Sequence, residues 1–457
     1  MSFPHEIFKA YDIRGIVDSS LSLDIVKRIG HALGSEVIAA GGSSIVVGRD
    51  GRLSGPAMTK ALSAGLQASG VNVIDIGVAP SPVVYYSSYA KDIGSCVAIT
   101  GSHNPPNYNG FKMVVEGTTL SAERIQDIKQ RILKRDYENG DGSYTIESVI
   151  DQYIKEIIGD VKPKRRLKIV IDCGNGVAGA TAPQVYRGIG CDVIGLFTEI
   201  DGNFPNHHPD PSQAENLEDL ISAVAEHDAD IGLAFDGDGD RLGIVTPKGE
   251  VIWPDRQMIL FARDVLSRNP GAEIIYDVKC SRLLPKEIEA AGGKATMWRT
   301  GHSFIKSKLK ETDAALAGEM SGHIFMKERW YGFDDGVYAG ARLIEILANQ
   351  DKSPQEVFDA LPNSVNTPEL RMEFNEGEHY TFMDKLVTAS DFPDGSINTI
   401  DGLRVDFADG FGLIRPSNTT PILVLRFEAD DEAALERIQS DFGRLVHSVD
   451  ANQELPF

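Results

Sequence analysis

The sequence predicts an α/β protein in which three α/β units with mixed sheets follow one another and a smaller α+β domain closes the chain. Three features lead there. At 457 residues the chain is too long for one core, and roughly one domain per 150 residues gives about three. A unit of apolar strand, polar loop, helical stretch, glycine stop and second strand recurs: SIVVGRDGRLSGPAMTKALSAGLQASGVNVIDIG from Ser44, KIVIDCGNGVAGATAPQVYRGIGCDVIGLF from Lys168, and EIIYDVKCSRLLPKEIEAAGGKATMWR from Glu273. Beyond Pro362 the pattern changes to strands ELRMEF, LRVDF, FGLIR and ILVLRFEA flanked by two helical runs, as in segregated α+β domains.

The first unit spans residues 1–147. A strand joined through a helix to a second strand builds a partly or wholly parallel sheet with helices on its faces. Within this unit Cys96 to Thr100 and Phe111 to Val115 read as two further strands, and the loop GSHNPPNYNG separates them. Its consecutive prolines can continue neither strand nor helix, so the backbone is stiff and Ser102 stands at a strand exit. Strand exits are where α/β proteins keep their chemistry, although an exposed serine beside His103 is by itself an ordinary turn. The helix-like LSAERIQDIKQRILKRDYEN and a polar stretch end the unit. The second unit spans 148–250 and closes after the strand pair IGLAFD and LGIVT. The third spans 251–362 and ends beyond the helix-forming GVYAGARLIEILANQ. The fourth, 363–457, adds the helical EGEHYTFMDKLVTA and DDEAALERIQSDFGRLVHSV.

Composition narrows the function. Hydrophobic content of 42% with 25% charged residues is that of a folded globular chain. A net charge of −22 argues against a nucleic-acid partner, which needs a basic footprint, and an anionic substrate would need cations gathered locally in a cleft. Cys96, Cys173, Cys191 and Cys280 show no CxxC spacing and read as reduced core residues. MSFPHEIFKAYDIRG lacks the apolar run of a secretory signal, and nowhere do about 18 apolar residues follow one another. A cytoplasmic protein with no membrane partner is expected.

AFDGDGDRLGIV is the most specific local signal. Asp236, Asp238 and Asp240 alternate in a loop tightened by Gly237 and Gly239, so all three carboxylates can point inward. Such a cluster repels itself unless a cation sits within it, and oxygen-only ligands call for Mg²⁺ or Ca²⁺. An EF-hand is excluded, because its sixth position needs Gly where Arg241 stands and its twelfth needs Glu where Pro247 stands. Mg²⁺ favours a few carboxylates together with a phosphate oxygen, so a phosphoryl group is expected nearby. GEMSGH places Glu319, Ser321 and His323 at alternate positions. In an extended segment all three would share one side and could read adjacent sugar hydroxyls, although such alternation is more often an ordinary turn. RPSNTTP offers the guanidinium of Arg415 and the hydroxyls of Ser417, Thr419 and Thr420 to a phosphate, with a solvated hairpin turn as the equal alternative. DCGNGVAGA lacks GxGxxG spacing and is assigned no cofactor.

TGSHNPP, DGDGDR, GEMSGH and RPSNTTP, in that order and with FKAYDIRG at the start, resemble the active-site loops of the α-D-phosphohexomutase family, in its bacterial phosphomannomutase/phosphoglucomutase branch. The likeness covers the whole chain and implies four domains around one cleft. It further implies that Ser102 carries a phosphoryl group and that Asp236, Asp238 and Asp240 hold Mg²⁺ together with the Ser102 phosphate. Glu319, Ser321 and His323 would bind substrate, the first two through the sugar hydroxyls. Arg415, Ser417, Asn418 and Thr419 would bind the phosphate that is not transferred. Tyr11, Arg14, His103 and Lys112 would line the catalytic centre, Lys279 and His302 would be the third unit's contribution, and Arg241 would join the catalytic cations. The implied reaction moves phosphate between C1 and C6 of mannose or glucose phosphates through phosphoserine and a 1,6-bisphosphate, with glucose 1,6-bisphosphate as the activator that phosphorylates Ser102. Lys112, His103 and His302 remain equal candidates for the general base. The alternatives are a phosphoglucosamine mutase, a metal-dependent sugar phosphatase and a non-catalytic Ca²⁺- or sugar-binding protein. A monomer acting on hexose phosphates is expected.

Overall fold

A computed structural model of the chain describes residues 3–418 and 420–457. The three sequence repeats become three copies of one idea: a parallel strand pair bridged by a helix. Ser44–Arg49 pairs in parallel with Asn72–Val78, Lys168–Asp172 with Asp192–Leu196, and Glu273–Asp277 with Lys294–Trp298. The glycine that ends each bridging helix has the same task. Gly70, Gly190 and Gly292 take φ of +95°, +98° and +82°, a left-handed turn-out that costs any other residue strain.

Each of these sheets is then extended by an antiparallel hairpin, which makes it mixed. Cys96–Ile99 pairs with Tyr108–Val115, Ile231–Phe235 with Leu242–Val245, and Leu316–Gly318 with Ile324–Met326. The fourth sheet is antiparallel throughout, backed by helices Glu378–Ala389 and Glu432–Val449, and its longest hairpin joins Gly410–Pro416 to Ile422–Ala429. The four loops singled out in the sequence are the four connections of these hairpins. One structural slot has thus been used four times.

Local chemistry fixes the flanking helices. Asp335 caps helix Gly336–Ala348 by accepting from the Tyr338 amide at 2.9 Å, and Ser353 with Glu356 forms a capping box on Pro354–Asp359. The strand expected from Phe111 already begins at Tyr108, because the pairing of Ile13–Ile16 with Gly110 and Asn109 continues past the prolines. The helix expected over LSAERIQDIKQRILKRDYEN is confined to Glu123–Lys134 and stops where Arg135 turns left-handed.

The apolar interior does not divide as the sequence repeats do. One buried cluster runs through the first three units, joining Tyr86 to Tyr153, Ile169, Leu316 and Trp330. Tyr86 stacks on Trp330, which stacks in turn on Tyr338. The fourth unit keeps its own core around Leu403, Phe427 and Phe442. All four cysteines are buried and free, and among the described residues no helix is long and apolar enough to cross a membrane.

Candidate active site

Ser102 follows strand Cys96–Ile99 with φ +50° and is 1% exposed, so the serine that the sequence places in an exposed turn is enclosed. Its amide donates to Thr100 Oγ1 at 2.8 Å. Its carbonyl accepts from Arg52, a buried side chain to which the sequence reading gave no role. The Arg52 guanidinium also donates to the carbonyls of Asn104 (2.6 Å) and Tyr108 (2.9 Å) and to the Asp50 carboxylate (3.0 Å). Asp50 in turn accepts from the Thr100 hydroxyl and the Gly101 amide. One planar fork therefore binds both ends of the serine loop. The legible signal was DGR directly after strand Ser44–Arg49, another strand exit.

Ser102 Oγ donates to Asp236 Oδ2 at 3.1 Å and lies 3.2 Å from His103 Nδ1. Gly237 permits this approach: a Cβ there would stand 2.4 Å from the Ser102 carbonyl oxygen. The unassigned DCGNGVAGA segment backs the same loop, with the Val177 amide donating to the Gly237 carbonyl at 3.1 Å.

Asp236, Asp238 and Asp240 are fully buried, and each offers a ligand oxygen within 4.8 Å of the others. Asp236 Oδ1 accepts the amides of Asp240 (3.1 Å) and Arg241 (3.2 Å), which orients it. Asp238 Oδ2 accepts from Ser81 Oγ at 2.5 Å and from Lys112 Nζ at 2.7 Å, and Lys112 also pairs with Asp240. Among the described residues Asp238 Oδ1 and Asp240 Oδ1 have no hydrogen-bond partner. Buried carboxylate oxygens without partners are costly, and an oxygen-seeking divalent cation is what this donor set would satisfy, so the residues fit Mg²⁺. The electrostatics agree. Burial, with Asp240 and Asp238 beside it, pushes the Asp236 carboxyl well above the usual carboxylate range. Burial works against the Lys112 ammonium, but Asp238 and Asp240 outweigh it and hold its pKa above the ordinary lysine value.

The GEMSGH segment departs from expectation. It is a tight turn rather than an extended row: Gly322 takes φ +98°, its amide donates to the Glu319 carbonyl at 3.0 Å, and the Glu319 amide donates to the His323 carbonyl at 2.9 Å. Side-chain alternation therefore does not put the three polar groups on one side. Glu319 is buried, with Oε1 accepting from the Gly301 amide at 2.6 Å and Oε2 unpartnered, and burial pushes its carboxyl up to about 7. Ser321 is half-buried at the turn. His323 faces away, toward Asp240 at 3.4 Å and Asp334 at 3.1 Å, and its Nε2 accepts from Arg241 Nε at 3.1 Å. Asp334, absent from the sequence reading, also accepts from Lys306 at 2.9 Å and lies 3.7 Å from His302 Nδ1. Nothing local in the sequence marks it, because its partners are supplied by helix His302–Thr312.

His302 opens that helix, buried and with neither ring nitrogen hydrogen-bonded among the described residues, its ring centroid 5.5 Å from that of His323 and 5.5 Å from that of Tyr11. Burial pushes the imidazoles of His302 and His103 well below the ordinary value; the cations Arg241 and Arg14 add to this at His103, and Lys306 at His302. Arg14 pairs with Asp12 and donates to Asn104 in the serine loop. Lys279 donates to Glu369 at 2.6 Å, and Arg415 donates to Asp401 at 2.9 Å. Ser417 Oγ lies 3.0 Å from Thr420 Oγ1, Asn418 is half-buried beside it, and Thr419 lies outside the described residues. Tyr11 falls within the field of Arg14, Arg415 and Glu319, so residues of the first, third and fourth units meet around it.

The whole chain resembles known proteins. Four domain descriptions match in order: phosphoglucomutase/phosphomannomutase alpha/beta/alpha domain I over residues 5–139, domain II over 151–249, domain III over 253–365, and the C-terminal domain over 369–445. A phosphomannomutase/phosphoglucomutase of Pseudomonas putida is 52% identical over 456 residues, covering 100% of this chain and 98% of the relative. A phosphoglucomutase of Neisseria gonorrhoeae is 54% identical over 451 residues, covering 98% of each. The crystal structure of a phosphoglucomutase/phosphomannomutase family protein from Burkholderia thailandensis superposes with a TM-score of 0.95 at 53% identity, covering both chains completely. With four consecutive domain matches and half of all positions shared end to end, this chain belongs to the phosphoglucomutase/phosphomannomutase family.

Proposed function

We propose that the chain is a hexose-phosphate mutase that moves a phosphoryl group reversibly between C1 and C6 of mannose and glucose phosphates, with Ser102 as the carrier. The supporting observation is the placement of Ser102 Oγ 3.1 Å from Asp236 Oδ2, at the edge of a buried triad with two unpartnered carboxylate oxygens. Phosphorylated Ser102 would give up its phosphoryl group to the free hydroxyl of a bound hexose monophosphate. The serine O–P bond breaks, a sugar O–P bond forms, and the hydroxyl proton passes to a base. The resulting 1,6-bisphosphate turns end for end, and its other phosphoryl group returns to Ser102.

Asp236, Asp238 and Asp240 would hold Mg²⁺, which supplies charge neutralisation for the transferring group. Lys112 is already committed to two of these carboxylates, which suits it to neutralise charge rather than take a proton. His103, kept neutral and 3.2 Å from the serine oxygen, and His302, whose Nε2 makes no hydrogen bond among the described residues, are better proton acceptors. Glu319 and Ser321 would read the sugar hydroxyls. Arg415, Ser417, Asn418 and Thr419, with Lys279 and Tyr11, would hold the phosphate that stays. Arg14, Arg241 and His323 would border the transferring group. Glucose 1,6-bisphosphate would charge Ser102 initially, and a cytoplasmic monomer is the working form. Four domains, 1–147, 148–250, 251–362 and 363–457, each contribute one hairpin loop.

Incubating the chain with glucose 1,6-bisphosphate and measuring its intact mass tests the reading. One added phosphate, localised to Ser102, and a loss of turnover of about 10³-fold or more in Ser102→Ala are expected. Undiminished interconversion by Ser102→Ala would overturn it.

A further inference from the structure

Between the first and third units lies a cavity of about 470 Å³ to which none of the four hairpin loops contributes. One wall is aromatic. Tyr85 and Tyr89 of helix Ser81–Ala90 face Tyr331 and Phe333, with Tyr89 5.3 Å from Tyr331 and Tyr85 5.7 Å from Phe333, centroid to centroid. Tyr331 and Phe333 lie parallel, 6.0 Å apart. The third unit also brings cations. Helix His302–Thr312 brings Lys306 and Lys310, and Lys327 joins them. Glu311 also lines the cavity but is paired with Lys308, while Lys327 is paired with Asp313.

Two buried groups are left with capacity. Lys306, 9% exposed, sits 4.1 Å above the Tyr85 ring and donates to Asp334 at 2.9 Å, its one hydrogen bond among the described residues, although an ammonium has three donors. The Tyr85 hydroxyl is buried without a hydrogen bond among the described residues. Flat rings beside a buried cation suit a ligand that is itself flat and singly negative. The rings stack on it or meet its edge, and the ammonium takes its carboxylate. A doubly charged ligand would be opposed by Glu311 and by Asp334 behind Lys306.

We propose that this cavity is a second ligand site, for a small planar aromatic carboxylate, and that its occupancy acts on the catalytic cleft through Lys306. The route is short. Asp334 is held by Lys306 on one side and faces His323 and His302 on the other. A carboxylate that shares Lys306 loosens Asp334 and with it the two imidazoles.

Calorimetric titration of the full chain with naphthoate tests this without reference to turnover, so its failure is distinct from failure of the mutase reading. Binding at about 1 mM or tighter is expected, with the neutral naphthamide at least about 10-fold weaker. Ser307→Trp fills the cavity from helix His302–Thr312 outside the cleft and should abolish binding. Lys310→Glu reverses an exposed charge of the cavity wall, at the cost of the 2.9 Å bond from Lys310 to the Gly117 carbonyl, and should weaken binding several-fold. Saturating naphthoate should lower wild-type turnover at least about 2-fold and leave Ser307→Trp unaffected. No binding at about 5 mM, equal binding of the amide, or wild-type affinity in either variant would overturn the site. Binding without a change in turnover would overturn the coupling.

Discussion

His323 Nε2 accepts a hydrogen bond from Arg241 Nε at 3.1 Å while its Nδ1 lies 3.1 Å from Asp334 Oδ2. An arginine can only donate, so Nε2 is the bare nitrogen and Nδ1 carries the proton that faces Asp334. Asp334 thereby fixes the ring, and the ring fixes Arg241, whose Nε lies 3.7 Å from Asp236. Replacing Asp334 with Asn should lower kcat about 10-fold to 100-fold with little change in KM, because positioning rather than binding is lost. Lys306 would lose its balancing charge, so a stability loss of about 3 kcal/mol should accompany it in denaturant titration. A variant with wild-type kcat would show that His323 is oriented by Asp240 alone.

Arg52 holds the serine loop by bonding three of its carbonyls, at Ser102, Asn104 and Tyr108, and a fourth at Pro105. Lysine keeps the charge but cannot reproduce the fork. Arg52→Lys should therefore cost about 3 kcal/mol and reduce turnover about 100-fold, since carbonyls and the buried Asp50 are left short of donors. Melting temperature and steady-state kinetics on the same preparation check both parts. Retention of full activity with lowered stability would confine Arg52 to a scaffolding task.

The triad gives a prediction that needs no mutation. Treatment with EDTA should abolish turnover by more than about 100-fold, and Mg²⁺ should restore it. If the triad binds Mg²⁺ in the folded chain alone, Mg²⁺ at 100 times its dissociation constant should stabilise the fold by about 2.7 kcal/mol. Asp238→Asn should lose this metal-dependent shift in melting temperature. Turnover that survives chelation would remove the cation from the reaction.

Much of this was legible in the chain, for a physical reason. Strand, loop, helix and glycine recur with a spacing that only a parallel pair with its crossover helix satisfies, and each carboxylate or hydroxyl of the chemistry stands in a loop between two apolar strands. Asp236 to Asp240 could be read directly, because Gly237 and Gly239 leave the loop few other shapes. GEMSGH could not. The same alternation that lines up side chains on a strand scatters them in a turn, and Gly322 at φ +98° makes it a turn. Arg52 left only the DGR at a strand exit as a signal and Asp334 left none, because groups they hold lie far along the chain, 50 residues away for Arg52 and Ser102 and 28 for Lys306 and Asp334. The continuous core from Tyr86 to Trp330 was hidden likewise, since repeats in sequence do not say how their faces meet.

Glu319 sets the expected pH dependence. Its ordinary value is 4.5, and burial pushes it to about 7. If its carboxylate accepts the sugar hydroxyls, the active form disappears as pH falls through about 7, and kcat/KM should drop about 10-fold per pH unit below that point. Stability should move the opposite way. A raised value means that the folded chain binds this proton more tightly than the unfolded chain, so between about 4.5 and about 7 the Glu319 contribution to stability falls as pH rises. Glu319→Gln should remove both limbs at once, lowering kcat/KM at pH 8 and flattening both profiles between pH 5 and pH 7 (roughly, given the width of a titration). A variant that keeps the acidic limb of kcat/KM would assign that limb to another group and leave Glu319 as a structural acceptor for the Gly301 amide.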